Sequence, residues 1–348
     1  MPPSVSGTES REGLAASTAS TPDAVAVAPQ MTAPEPPHAR KSTLRGLIKT
    51  IRPHQWVKNL FVLAPMFFHK DVFVTGPNGV PALNLIVTGR AFFATIVFCL
   101  LAGAVYTIND LADVESDRVH PVKRERPIAS GVVPEPLARA MAAGLVLVSL
   151  AMGYALGPMF VGVALVYFVE NLAYTFKLKH VAFLDVSLIA FGFVLRVVAG
   201  GYATNVHVSG YMLGCTALLA LFLGFGKRRH ELASENAGKQ RAALDGYTAT
   251  SLNVALTVTG AATVVTWVAY TLDPTTREFF HSDYLWLTAP CVAFGILRFL
   301  FIVSGRAGRG LKAESPTQEM LSDVPLVLNL MLWVVVVVAI VYRLRPSQ

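Results

Sequence analysis

Long apolar runs separated by short polar connections dominate the chain from residue 59 onward. Nine of them approach the roughly 20 residues that a helix needs to cross a bilayer. They fall at about 59–75, 88–109, 136–155, 158–176, 182–202, 209–226, 252–272, 284–304 and 324–343. The pattern predicts an all-α, polytopic membrane protein. The first run is the weakest, because His69, Lys70 and Asp71 interrupt it. Pro158, Gly200 and Gly201 stand near run ends, where a helix is most easily broken.

Composition agrees with the pattern. A mean hydropathy of +0.52, with 53% hydrophobic and 15% charged residues, excludes an ordinary soluble domain. Charge then sets an orientation. The loops after the second, fourth, sixth and eighth runs carry Arg118, Lys123, Arg124 and Arg126; Lys177 and Lys179; Lys227, Arg228, Arg229, Lys239 and Arg241; and Arg306, Arg309 and Lys312. The alternate loops hold almost none, Arg277 excepted, so the basic loops and the N-terminus are expected in the cytoplasm and the C-terminus outside. Arg343 and Arg345 argue mildly the other way. Anionic lipid head groups account for part of this asymmetry.

Residues 1–44 read as a disordered cytoplasmic tail, rich in Ser, Thr, Ala and Pro and without aromatic residues, and 45–348 as the membrane domain. Arg40, Lys41, Arg45, Lys49 and Arg52 form a basic approach expected to be an interfacial helix. Cys99, Cys215 and Cys291 all lie in apolar runs, with no metal-ligand spacing and no expected disulfide.

Just beyond the second run stands Asn109-Asp110-Leu111-Ala112-Asp113-Val114-Glu115-Ser116-Asp117. On a helix, Asp110, Asp113 and Asp117 share an arc of roughly 60° over about 10 Å. Three carboxylates on one face repel unless a cation neutralises them, and an all-oxygen set suits Mg²⁺ completed by a substrate's phosphates. Arg118, Lys123, Arg124 and Arg126 follow within nine residues, on a loop that prolines and a glycine keep from being helical. Metal ligands beside anion ligands indicate a diphosphate site.

Three further clusters fall at the same membrane face. Lys58 and Asn59 stand at the start of the first run, where Lys58 either enters the site or snorkels outward as an anchor. Glu170, Tyr174 and Lys177 share a helical face, with Asn171 and Lys179 beside them; a carboxylate more than a turn inside a span is costly unless paired. Lys227, Arg228 and Arg229 end the sixth run, with Glu231 and Tyr247 following, and serve either as a phosphate clamp or as a membrane anchor. Asp185 and the deeper Arg196 have no role legible from sequence. Walker, Gly-x-Ser-x-Gly and His/Cys metal patterns do not occur, and no nucleic-acid partner is expected.

These residues resemble the UbiA superfamily of intramembrane prenyltransferases over about residues 45–345. The N-D-x-x-D-x-x-x-D pattern matches Asn109, Asp110, Asp113 and Asp117. The resemblance implies a nine-helix bundle around a central cavity, open to the cytoplasm and laterally to lipid, with those aspartates holding Mg²⁺ and a diphosphate. Where family members that use prenyl diphosphate usually carry a second aspartate-rich motif, this chain has Lys227, Arg228 and Arg229. Together with residues 52–59 and 109–131, that departure is similar to the branch of decaprenyl-phosphate phosphoribosyltransferases. The branch implies phosphoribosyl pyrophosphate as donor, a polyprenyl phosphate as acceptor, a role in actinobacterial cell-wall arabinan synthesis and a place in the bacterial plasma membrane. Under it, Lys58, Arg118, Lys123, Arg124 and Arg126 hold pyrophosphate, and Lys227–Arg229 hold the ribose 5-phosphate or the lipid phosphate. Glu170 or Glu231 then position ribose hydroxyls. A UbiA-type transfer of a prenyl group to an aromatic or other acceptor is the alternative. A homo-oligomer is not legible in the sequence.

Overall fold

In a computed structural model of the protein, the described residues are 43–68, 72–75, 81–233, 242–304 and 322–341. The expected tail lies almost wholly outside them, as do Arg40, Lys41, Lys239, Arg241, Arg306, Arg309, Lys312, Arg343 and Arg345. The described chain opens with α1, Thr43–Thr50. Leu44 and Ile48 leave an exposed apolar pair one turn apart, next to Arg45 and Lys49, a mixture suited to a membrane interface.

The first apolar run takes a different form from the rest. Arg52 adopts a left-handed backbone (φ 51°), and Pro53 then opens a 3₁₀ helix, Pro53–Leu63, which passes into the short α2, Ala64–Phe68. Strands β1, Phe73–Thr75, and β2, Pro81–Leu83, follow as an antiparallel pair with Phe73 opposite Leu83. The physical reason lies in proline and in close packing. Pro53 and Pro65 donate no backbone hydrogen bond, and the segment presses so tightly on its neighbour that a Cβ on Gly200 would fall 2.0 Å from the Val62 carbonyl oxygen. The regular membrane-length helix expected over 59–75 is therefore replaced by a tighter, broken one.

Eight helical spans among the described residues are long and apolar enough to cross a membrane. They are α3 (Leu85–Ala112), α5 (Glu135–Tyr154), α6 (Pro158–Phe176), α7 (Leu184–Thr204), α8 (Gly210–Ala233), α9 (Ala249–Leu272), the 3₁₀ turn Leu285–Thr288 with α11 (Ala289–Val303), and α12 (Val324–Val341). The short α4 (Val114–Val119) and α10 (Pro274–Phe280) link them. Helix suits these stretches because every backbone group must be satisfied within the lipid. α3 extends three residues past its apolar run at each end, and α8 extends seven past its run at the C-terminal end. Glu231 pairs with Arg228 three residues before it and with Lys227 four before it, which supports the extra turns.

α3 is the most enclosed span. Ala91, Ala94, Ala102, Gly103 and Ala104 are buried along it, and such small residues let helices approach closely where lipid offers no hydrophobic drive. Phe98 fills the space they leave, edge-on to Phe160 with ring centroids 5.8 Å apart. A second core joins α7, α8, α9 and α11 through Val186, Phe222, Leu252, Leu256 and Phe299. α7 packs against α3, α6 and α8 and so ties the two together. The C-terminal ends of α3, α6 and α8 and the N-terminal ends of α7 and α9 meet at one end of the bundle, and the charged side chains meet there too.

Candidate active site

The acidic motif straddles a break. α3 ends at Ala112, Asp113 leaves helical geometry (φ −96°, ψ 4°), and α4 resumes the turn. The three carboxylates consequently do not present the single face expected of one continuous helix. Asp110 and Asp117 are buried and share one cation: Arg126 Nη1 lies 3.1 Å from Asp110 Oδ1 and 2.6 Å from Asp117 Oδ2. Arg52 donates a second, short hydrogen bond to Asp110. Asp113 turns away to Lys179, whose Nζ is 2.6 Å from Oδ1, while Asn109 donates to its Oδ2 at 3.3 Å. Three carboxylates thus face three cations. These groups remain partly open, with side-chain exposure of 22% for Arg52, 26% for Arg126 and 29% for Asp113.

The loop behind the motif folds back as its prolines suggest, and it delivers Arg126. A 3₁₀ turn at Lys123–Glu125 and the bond from the Arg126 N–H to the Lys123 carbonyl aim that side chain inward. Lys123 is half-buried beside it, and Arg124 is exposed. Arg118 points elsewhere, donating to Glu115 at 2.7 Å and to Glu135 at 3.2 Å on the surface. The structure therefore does not bring Arg118 to the carboxylates.

The basic run on α8 is also divided. Arg228 is 1% exposed and locked between acids, 2.7 Å from Asp185 Oδ2 and in a short contact with Glu231. Asp185, itself fully buried, takes a second hydrogen bond from Tyr247 Oη at 2.6 Å, and Tyr247 accepts from the Phe183 N–H at 2.7 Å. Burial and the Asp185 contact push the Tyr247 hydroxyl's pKa well above its usual value. Arg229 donates to Asn253 at 3.0 Å. Of the three expected phosphate ligands, Lys227 alone is exposed, 3.9 Å from Glu231.

Glu170 is half-buried and accepts from Asn171 at 2.7 Å. Tyr174 lies within electrostatic reach of Arg228, whereas Lys177 falls past the end of α6 and is exposed. Deeper in the bundle, Arg196 is buried and hydrogen-bonded through all three nitrogens. It donates to Asn59 Oδ1, the Gly192 carbonyl and Tyr167 Oη, each at 2.8 Å, and its guanidinium lies 4.7 Å from the Tyr167 ring centre. Glu170 approaches the same arginine across Gly192: a Cβ there would lie 3.4 Å from Arg196 Nη1 and 3.7 Å from Glu170 Oε2.

Sequence reasoning missed three contributors. Arg52 read as part of a basic approach to the membrane. Tyr106, whose ring centre lies 5.3 Å from the Arg52 guanidinium, is one turn before Asp110 on the same helix face, a spacing that could have revealed it. The Asn59–Arg196–Tyr167 network joins residues too far apart in sequence to be seen.

Among the described residues no three His, Cys, Asp or Glu side chains close on a single metal position. Asp110 and Asp117 nevertheless converge on one cationic nitrogen. A hard cation held by two carboxylates and completed by ligand phosphates fits that donor set, and Mg²⁺ is commonly bound in this way. A groove of about 630 Å³ lies apart from this chemistry, between α3, α5 and α6; it is lined by apolar residues such as Leu111, Val146 and Phe168, with Arg139 the one charged residue in that lining.

A family model described as the UbiA prenyltransferase family matches residues 62–307. The chain is 35% identical over 310 residues to a decaprenyl-phosphate phosphoribosyltransferase of Mycolicibacterium smegmatis, covering 87% of this chain and 94% of that protein. It is 36% identical over 298 residues to a protein of the same name from Mycobacterium tuberculosis, covering 85% and 94%. The solved structure of a UbiA homologue from Archaeoglobus fulgidus, bound to GPP and Mg²⁺, superimposes with a TM-score of 0.61 at 18% identity, over 85% of this chain and 99% of that one.

Proposed function

The chain belongs to the UbiA prenyltransferase family, and from that premise we propose that it transfers 5-phosphoribose from phosphoribosyl pyrophosphate to a polyprenyl phosphate such as decaprenyl phosphate. The reaction releases pyrophosphate. The names of the relatives in Mycolicibacterium smegmatis and Mycobacterium tuberculosis suggest the acceptor and the transferred group. The observation that carries the reading is the arrangement of three carboxylates, two buried and Asp113 partly open, each held by a partly exposed protein cation at one end of a membrane bundle.

In the proposed reaction an oxygen of the lipid phosphate bonds to the anomeric carbon of ribose. The bond from that carbon to the pyrophosphate oxygen breaks, and pyrophosphate leaves with the electron pair. The nucleophile is already an anion at neutral pH, so no strong general base is needed. Asp110 and Asp117, with Asp113 beside them, would hold Mg²⁺, which supplies charge neutralisation to the departing pyrophosphate when bound. Arg52, Arg126 and Lys179 then move from carboxylate to phosphate oxygens, and Arg126 is suited to grip two at once. Asn109 keeps Asp113 oriented. Glu170, held by Asn171, is placed to position ribose hydroxyls. The active-site end faces the cytoplasm of a bacterial plasma membrane, where the water-soluble donor is available, in agreement with the basic loops.

Membranes containing the protein, given radiolabelled phosphoribosyl pyrophosphate and polyprenyl phosphate, test this directly. Label should enter the lipid phase with Mg²⁺ and not with a chelator. Failure to label lipid, together with consumption of a prenyl diphosphate and an aromatic acceptor, would overturn it.

A further inference from the structure

Lys58 stands out among the charged groups at this end of the bundle. Every neighbouring cation has an acid: Arg52 has Asp110, Lys227 has Glu231, Arg228 has Asp185, and Arg196 has Glu170 across Gly192. Lys58 forms no hydrogen bond or ion pair among the described residues, and its side chain is exposed. Its position is nevertheless fixed from below. The next residue, Asn59, is 1% exposed, accepts from Arg196 at 2.8 Å and donates to Cys99 Sγ at 3.3 Å. Arg196 is in turn bound to Tyr167 and to the Gly192 carbonyl. A membrane protein thus spends a deeply buried arginine on holding the turn that presents one unpaired ammonium.

That ammonium lies within electrostatic reach of Lys227, Arg196 and Arg52, and its chain neighbour Asn59 is anchored at the depth of Arg196. Arg196 is eleven residues into α7 from Asp185, about 16 Å along the helix at 1.5 Å per residue. Tyr167 and Asn59 meet it at that depth. An in-line displacement needs nucleophile and leaving group on opposite sides of the carbon attacked. With pyrophosphate at the outer Asp110–Asp117 pair, the opposite side is the inner one, which an acceptor tethered in the bilayer reaches most directly.

We propose that Lys58 is the subsite for the phosphate of the polyprenyl acceptor, positioned by the Asn59–Arg196–Tyr167 network, rather than a further ligand for pyrophosphate. This assignment rests on the phosphoribosyl-transfer reading given above. Its neighbours reinforce it: desolvation by the protein around this still accessible ammonium, then the charges of Lys227, Arg196 and Arg52, lower the Lys58 pKa to about 8, so an incoming dianion meets a concentrated positive field. Arg196 contributes positive potential here while each of its three nitrogens donates to a protein acceptor.

Binding measured without turnover separates this proposal from the reaction itself. Wild type, Lys58→Met and Lys58→Arg would be placed in nanodiscs and titrated with farnesyl phosphate, farnesol and ribose 5-phosphate. Lys58→Met removes a cation with no partner, so the fold should persist, checked by its thermal transition. The expected result is a loss of about tenfold or more in farnesyl phosphate affinity, as for a charged hydrogen bond. Lys58→Arg should restore most of it, and farnesol and ribose 5-phosphate binding should not change. Unchanged farnesyl phosphate binding would overturn the proposal, and so would a loss confined to ribose 5-phosphate, which would give the subsite to the donor. A wild type that binds farnesyl phosphate through Lys58 but labels no lipid would instead refute the reaction and leave the phosphate subsite standing.

Discussion

Two ion-pair networks lie at the same end of this bundle, built from the same kinds of residue, and they differ mainly in exposure. Around Asp185, Arg228 and Tyr247 everything is closed: the arginine is 1% exposed and the aspartate 0%. Around Asp110, Asp113 and Asp117 the carboxylates meet cations that are 15–26% exposed, and Asp113 itself is 29% open. A sealed pair must keep its partners, because either ion alone in a low-dielectric interior is costly. A half-open pair can exchange its partner for an incoming ion of the same sign. The closed network joins α7, α8 and the start of α9 into a scaffold, and the open one holds the reactive surface.

Breaking the closed network should have the largest effect. Asp185→Asn takes from Arg228 its fully buried partner and leaves Glu231 alone to balance it; removing one partner of a buried pair costs roughly 3–5 kcal/mol. Little folded protein should survive detergent extraction, as gel filtration of the tagged variant would show. In the open network the same change should spare the fold and remove the chemistry. Asp110→Asn should lower phosphoribosyl transfer by about 10²-fold or more, the scale of losing one preorganised electrostatic group, while the thermal transition stays near that of wild type. A variant equally unfolded at both positions would erase the distinction between the networks.

A smaller effect is expected from pH. Lys58, outside the eight spans, has its pKa lowered to about 8 by desolvation from the surrounding protein and by Lys227, Arg196 and Arg52. The acceptor phosphate binds its charged form, which is complete below that pH and falls about tenfold per unit above it. Acceptor affinity should therefore weaken from pH 8 upward, and Lys58→Arg should remove that decline up to pH 9.5. For stability the sign is opposite: a lysine pKa below its unfolded value means the charge opposes folding at low pH, a penalty relieved as pH rises past about 8. The smallest effect belongs to Arg118→Ala. Its surface pairs with Glu115 and Glu135 are worth about 0–1 kcal/mol, and kinetics should show transfer within about twofold of wild type.

Much of the fold was legible because membrane helices announce themselves by length and apolarity. Eight expected runs reappear as spans with ends shifted by a few residues, α8 excepted. The first run was not legible as a broken 3₁₀ segment, because its shape depends on Gly200, nearly 140 residues away, admitting the Val62 carbonyl. In the site, the aspartates and Arg126 could be found from spacing and loop composition. Whether a cation was free or sealed could not, since the partners of Arg228 come from Asp185, 43 residues earlier, and Glu231, three later. A run of Lys-Arg-Arg reads as one clamp in sequence, and helix geometry sends Lys227 to Glu231, Arg228 to Asp185 as well as Glu231, and Arg229 to Asn253.

The exchange of protein cations for metal and diphosphate is best tested by electron paramagnetic resonance of Mn²⁺ as a Mg²⁺ substitute, titrated into the purified protein in nanodiscs with and without pyrophosphate. Because Arg52, Arg126 and Lys179 already neutralise the carboxylates, metal alone should bind weakly. Pyrophosphate, by drawing those cations away, should tighten it about tenfold or more, the usual scale of coupling between linked sites. Asp110→Asn should lose the enhancement and Arg118→Ala should keep it. Equal Mn²⁺ binding with and without pyrophosphate, or an enhancement that survives Asp110→Asn, would contradict the account.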